Sequence, residues 1–311
     1  MKNHAAALTR ALILAMAFGP SGNLAWAQPA PAGNELPQAL EGIEPASGIC
    51  RRDESVPGPD QALPAPVAPH GEACAITVRE ALPLLAKVAN GDAAFIDLRP
   101  AADYHGFHIE GALNLGSSDL YAKPYWRRKK VVLVDSGKAE HALYRECARL
   151  KQAGYEQVHV LHGGMAMWLH QGQSIMGRTP SATQRAQLTR LSPAELWLES
   201  QNADHLILLD RSHAAMQSDF GAAHVLERTS PDAIRMLVDK HRKTLPKGSL
   251  ISILLIADLP DSGVESIQRT LMPIPLLVYG DSREAFARQM ATYKAMWVAQ
   301  ARGPKLPGCG L

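Results

Sequence analysis

The residues best placed for chemistry lie in one short stretch, Asp135-Ser136-Gly137-Lys138-Ala139-Glu140-His141. It sits between the apolar run Val131-Val132-Leu133-Val134 and a helical segment that ends at Gly154. A tight loop that feeds a helix gathers backbone N–H groups, and together with the helix N-terminus these stabilise an anion. A thiol at the start of such a loop becomes a low-pKa nucleophile; a carboxylate cannot take that role. Asp135 is expected to cap the following helix and fill the anion seat with its own side chain. The alternative is a carboxylate site, built with Glu140 and His141, for a metal or a cationic partner. A second acidic stretch, Asp258-Leu259-Pro260-Asp261-Ser262-Gly263, follows another apolar run from Leu250 to Ala257. Neither stretch contains a cysteine.

The chain has four cysteines, Cys50, Cys74, Cys147 and Cys309. Cys147 shares a helical face with Leu143 and Leu150, which is core spacing. Cys50 and Cys74 flank a Pro-rich segment and are the expected disulfide, which would contribute roughly 3 kcal/mol by loop-closure entropy. Cys309 lies in the Pro- and Gly-rich end Pro304-Lys305-Leu306-Pro307-Gly308-Cys309-Gly310-Leu311 and is the alternative thiol. His159 and His162 point to opposite faces of a strand. No His/Cys pair has zinc spacing, so no metal is assigned. No Gly-rich phosphate loop or nucleophile elbow is present, and no cofactor is called for.

Two similar series of elements position these loops. Thr77-Val78-Arg79-Glu80 is a capping box, and Val78, Leu82, Leu85 and Val88 follow at helical spacing. Ala93 to Asp97, Val131 to Val134 and Gln157 to Leu161 are short apolar runs. Their alternation with helices implies a parallel sheet covered on both faces. Ser192-Pro193-Ala194-Glu195 is a second capping box with Pro at the first helical position, followed by strands at His205 to Asp210, Leu250 to Ala257 and Pro275 to Tyr279. From cap to acidic strand end the spacing is 20 residues in the first unit (Thr77 to Asp97) and 18 in the second (Ser192 to Asp210). The chain thus reads as a degenerate duplication. His224 then stands near the place of His108, and Trp297 is the counterpart of Trp168.

The N-terminus carries the marks of an export signal. Lys2 and Arg10 precede the apolar run Ala11 to Phe18, and Ala25-Trp26-Ala27 is a small-x-small cleavage site. The mature chain is expected to begin at Gln28 and to be periplasmic or secreted, with no membrane span. Formal net charge is +2, from 32 basic and 30 acidic residues, which gives no reason to expect nucleic-acid binding. Arg127-Arg128-Lys129-Lys130 reads as a solvated loop ahead of a strand.

The first unit resembles the rhodanese homology (thiosulfate sulfurtransferase) domain. The resemblance rests on Phe95-Ile96-Asp97-Leu98-Arg99, on His108-Ile109-Glu110-Gly111-Ala112-Leu113-Asn114, and on Gly154-Tyr155 leading to Gly163-Gly164 and Trp168. The second unit resembles it more weakly. The resemblance implies an α/β chain of two rhodanese-like domains, each a parallel sheet flanked by helices. The organisation it implies is a signal peptide at 1–27, a Pro/Ala-rich leader at 28–75, domain 1 at 76–172, a linker at 173–189, a degenerate domain 2 at 190–300 and a tail at 301–311. It further implies that Asp97 with Arg99, and Asp210 with Arg211, brace neighbouring loops by ion pairing. His108, Gly111, Gly163, Gly164 and Trp168 are then structural markers. Phe107 stands where the family usually has Gly, and Glu110 where it usually has Pro. In that family the residue after the strand carries persulfide sulfur on a cysteine. Here that residue is Asp135, or Gly137 if the alignment is anchored on Gly154. The chain is accordingly expected to be a pseudoenzyme that binds a protein partner or a small anion. The alternative is a periplasmic sulfurtransferase or thiol redox protein using a relocated cysteine, Cys309 or the Cys50/Cys74 pair.

Overall fold

The structure is a computed structural model and describes residues 74–302. The export segment, nearly all of the leader, Cys50 and Cys309 lie outside the described residues. The first half runs β1 (Ala75–Ile76), α1 (Val78–Leu85), β2 (Ala93–Asp97), α2 (Ala101–Gly106), β3 (Phe107–Ile109), β4 (Leu113–Asn114), α3 (Ser117–Ala122), β5 (Lys130–Val134), α4 (Glu140–Gln152), β6 (Val158–Leu161), α5 (Gly164–His170) and β7 (Ile175–Gly177). The short helix α6 (Ala182–Gln187) leads to the second half. There follow α7 (Pro193–Ser200), β8 (Leu206–Leu209), β9 (His224–Val225), α8 (Pro231–Arg242), β10 (Ile253–Ile256), α9 (Asp261–Leu271), β11 (Leu276–Tyr279) and α10 (Arg283–Arg302).

Both capping boxes form: Thr77 closes on Glu80, and Ser192 on Glu195. Each caps a helix that follows the first edge of its sheet. The first sheet has the order β1-β6-β5-β2-β4 and the second β11-β10-β8-β9, with every pairing in both parallel. β2, β5, β6, β8, β10 and β11 are buried along their whole length or all but one residue. That fits apolar runs enclosed by helices on two faces. The fold is therefore α/β, with parallel sheets flanked by helices. Each sheet has an apolar cluster on either side, as around Leu133 and Phe95 in the first half and Leu255 and Leu209 in the second.

Hydrogen-bond register fixes how the halves correspond. Ala75 pairs with Val160, and Arg190 makes the same parallel bridge to Val278. Carried across the sheets, Val134 matches Ile256, and the partner of Val134, Asp97, matches Leu209. Three expectations are corrected here. Asp210 takes the register of Leu98, not of Asp97, because the second strand arrives one residue earlier. His224 pairs beside Leu208 as Leu113 does beside Ile96, so it does not stand in for His108. Phe286, packed against Phe220 and Tyr279, has the register of Trp168, and Trp297 lies three turns further along α10.

The segment 173–189 is more than a linker, since β7 pairs antiparallel with β3 and α6 is capped by Ser181. The expected Cys50–Cys74 bond is also corrected: Cys74 is bonded to Cys147, with Cα atoms 6.3 Å apart. The bond ties the residue just before β1 to the middle of α4. It closes a loop of 73 residues, for which chain entropy gives roughly 4 kcal/mol.

Candidate functional site

The loop from Asp135 to Ala139 leaves β5 at the C-terminal end of the first sheet, where parallel sheets bind ligands. Its shape depends on close backbone packing. Gly137 has φ +111° and Gly164 φ +47°. A Cβ on Gly164 would lie 2.3 Å from the Asp135 carbonyl and 2.5 Å from the Gly137 nitrogen. One on Gly137 would lie 2.2 Å from the Gly163 carbonyl. The first turn of α5, just after the double glycine, donates back into the loop, with Met165 N–H to Asp135 O and Ala166 N–H to Ser136 O. The double glycine thus clamps the loop. Ala139, the residue before α4, has φ +54°, a left-handed conformation that costs a non-glycine residue energy.

Beside the loop is a cavity of about 410 Å³ lined by Arg99, Pro100, Asp103, Phe107, Asp135, Ser136, Lys138, Gln184, Gln187 and Leu188. Arg99 is only 4% exposed. Its Nε and Nη2 reach the Asp97 carboxylate, Nη2 at 2.7 Å, and Nη2 also donates to the Phe107 carbonyl. The guanidinium lies over the Phe107 ring, and Nη1 has no hydrogen-bond partner among the described residues. Asp135 accepts from the Ser136 N–H, and burial raises its pKa above the usual carboxylate range. Lys138 reaches away to the Arg190 carbonyl at 2.9 Å and to Glu195 at 3.3 Å.

Asp135 does not cap α4, contrary to expectation. The Glu140 N–H at the start of that helix donates to Glu199 Oε1 at 3.0 Å, from α7 in the second half. Nor do Asp135, Glu140 and His141 converge. Glu140 turns inward to Tyr144 and His162, each at 2.8 Å, and accepts the Gly163 N–H. His141 is buried, its Nε2 has no hydrogen-bond partner among the described residues, and burial lowers its pKa. No group of three or more His, Cys, Asp or Glu among the described residues can hold a metal ion.

His162 also meets the Ile251 carbonyl across the seam, Nε2 to O at 3.2 Å. Burial is the largest single influence on His162 and lowers its pKa, but the Glu140 charge and hydrogen bond and the Ile251 carbonyl together outweigh it, and the net shift is upward. Burial likewise raises Glu140, and the charge and hydrogen bond of His162 outweigh it, so the net shift is downward. The two therefore form an imidazolium–carboxylate pair. Glu199, 2% exposed, is pushed up to about 8 by burial and then by the Glu140 charge. Sequence reasoning missed Glu199. Its signal was local: a charged residue three positions after Leu196, on the buried face of α7.

The remaining expected residues are placed as follows. His108 stacks on Tyr104 and meets its carbonyl, Gly111 turns the chain at φ +75°, and Trp168 is fully buried with Nε1 on Ser174 O. Asp210 does not pair with Arg211, which is exposed; it accepts from Ser212 and faces His213 Nδ1 at 2.7 Å. In the second loop Arg190 holds the Leu259 carbonyl and Asp261, while Ser262 and Gly263 lie inside α9.

Residues 81–171 match the family described as the rhodanese-like domain. The chain therefore carries a rhodanese-like domain over these residues. Similar solved structures include a protein of Bacillus halodurans, 21% identical over 33% of this chain and 77% of that chain, with a TM-score of 0.29. The rhodanese-like domain of an Anabaena protein is 24% identical over 34% and 84%, with a TM-score of 0.28. The thiosulfate sulfurtransferase of Pseudomonas aeruginosa is 16% identical and covers 73% of this chain, with a TM-score of 0.28; this chain spans 48% of that enzyme. No curated protein matches the chain.

Proposed function

We propose that this chain is an exported rhodanese-like binding protein that does not transfer sulfur. The observation that carries the reading is the occupancy of the α4 N-terminus. Where the family's loop would steady a sulfur anion, the first N–H of the helix is taken by the Glu199 carboxyl. Asp135 stands at the head of the loop and offers no persulfide chemistry. The cavity beside it is the ligand site, and the Arg99 guanidinium in its lining suits a small anion. The Cys74–Cys147 bond removes two thiols from the alternative reading. Only Cys50 and Cys309 then remain as relocated sulfur carriers.

The test is thiosulfate-to-cyanide sulfur transfer by the protein from Gln28 onward, before and after mild reduction. The expected result is no turnover above a protein-free blank in either state. Turnover lost on Cys309→Ser or Cys50→Ser would replace this reading with the thiol enzyme. Export rests on the Lys2 to Ala27 segment, and N-terminal sequencing of the exported protein is expected to read Gln28 first.

A further inference from the structure

The seam between the halves contains a cluster that the binding site does not use. Glu140 and Tyr144 come from α4, His162 from the end of β6, Glu199 from α7, and His205 from the turn before β8. All are buried. Both ring nitrogens of His162 face oxygen acceptors, Glu140 Oε2 at 2.8 Å and the Ile251 carbonyl at 3.2 Å, so the ring carries two protons and one positive charge. That charge balances Glu140. Glu199 has no such partner. Its Oε1 accepts the Glu140 N–H, and its Oε2 lies 3.4 Å from His205 Nδ1 without a hydrogen bond between them. His205 Nε2 is already taken by Asn202 Nδ2.

The other charged groups around Glu199 and His205 do not change this count. Glu195, on the same helix as Glu199, is engaged with Lys138, and His241 of α8 turns its Nε2 to the Asp204 carbonyl. One imidazolium therefore serves two carboxyl groups in a buried seam, and such a seam stays neutral only while one of them keeps its proton.

We propose that the Glu140–His162–Glu199–His205 cluster is a proton-operated latch that holds the two halves together and loosens as the pH rises through neutrality. Closing the seam raises Glu199 from 4.5 to about 8 and lowers His205 from 6.5 to about 4, in both cases chiefly by burial. Opening therefore releases a proton from Glu199 at any pH between these two Glu199 values. Below 6.5 opening also adds a proton to His205, and the two effects offset each other. Above 6.5 His205 is neutral in both states, so the release from Glu199 stands alone, reinforced by His162, which Glu140 holds above its ordinary value. Above about 8 Glu199 is ionised in both states and its contribution to the pH dependence ends. Glu140, whose pKa is lowered, favours opening only in acid.

The test is amide hydrogen exchange on the full chain from pH 5.5 to 9.5, corrected for intrinsic chemical rates. The reporter is the Glu140 N–H, with the β5 amides marking global unfolding. The opening constant at Glu140 is expected to be nearly flat around pH 5.5, to begin rising near pH 6, to climb by about tenfold per unit through neutrality, and to rise less steeply beyond pH 8. It is expected to exceed the opening of β5 throughout the rise. Glu199→Gln is expected to reduce the rise to the part due to His162. Glu140→Gln removes the facing charge, so the easing of the slope is expected at lower pH. A flat wild-type profile, an undiminished rise in Glu199→Gln, or an easing unmoved in Glu140→Gln would overturn the latch. If Glu199→Gln does not fold, the Glu140→Gln profile decides alone.

Discussion

The two halves share a sheet order but hold their β-strand-to-helix loops by different means. In the first half the loop after β5 is held by backbone against backbone, through Gly137, Gly163 and Gly164. In the second half the loop after β10 is held by a side chain, with Arg190 bridging the Leu259 carbonyl and Asp261. By register Gly163 and Gly164 correspond to Asp281 and Ser282, so the double-glycine clamp is absent there. The edge of the sheet differs too. The Cys74 side chain is covalently tied to α4, whereas the Thr189 side chain, at the same register, donates to the nearby Ala186 carbonyl. Tight backbone packing is a demanding feature, because a single added methyl group breaks it. The first half has this packing although the loop has no thiol, and the second half lacks it. The clamped loop supplies Asp135, Ser136 and Lys138 to the lining of the cavity.

Breaking the covalent tie is expected to have the largest effect. Cys74→Ser is expected to lower unfolding free energy by about 2–5 kcal/mol, measured by urea titration against a Thr189→Ala control at the matching position. A loss under about 1 kcal/mol would mean that the two edges are equivalent after all. The glycines sharpen the contrast with opposite signs. Gly164→Ala must push the Asp135 carbonyl aside and is expected to cost roughly 3 kcal/mol. Gly263 lies inside α9 with only ordinary contacts around a Cβ, so Gly263→Ala is expected to stabilise by about 0.5–1 kcal/mol. Paired thermal melts read both, and equal shifts would remove the distinction between clamped and relaxed loops.

What was legible in the sequence was what local patterns encode. Thr77 with Glu80 and Ser192 with Glu195 mark helix starts within four residues, and the runs at Ala93, Val131 and Leu276 could only be buried strands. Non-local geometry was not legible. Disulfide pairing depends on which cysteines the fold brings together, so Cys74 looked like a partner for the nearer Cys50 and not for Cys147. Counting 20 and 18 residues from cap to acid suggested that Asp210 answers Asp97. Strand register is set by ladder hydrogen bonds, not by counts, and a shift of one residue turned Asp210 to His213. The capping of α4 by Glu199 joins residues 59 apart in sequence, and no motif spans that distance. Asp135 was recognised as a departure from the thiol pattern, but its side chain satisfies its own loop instead of the helix.

The bond between Cys74 and Cys147 also has a mechanical meaning. The chain enters the described residues at Cys74, and the edge strand behind it is only two residues long. Tension on the preceding 73 residues would otherwise peel that strand from β6 one hydrogen bond at a time. Instead the load reaches a covalent cross-link first and passes into α4, the helix that begins at the loop beside the cavity. A pull at the N-terminal side is therefore transmitted as strain on the helix, not dissipated by unzipping an edge.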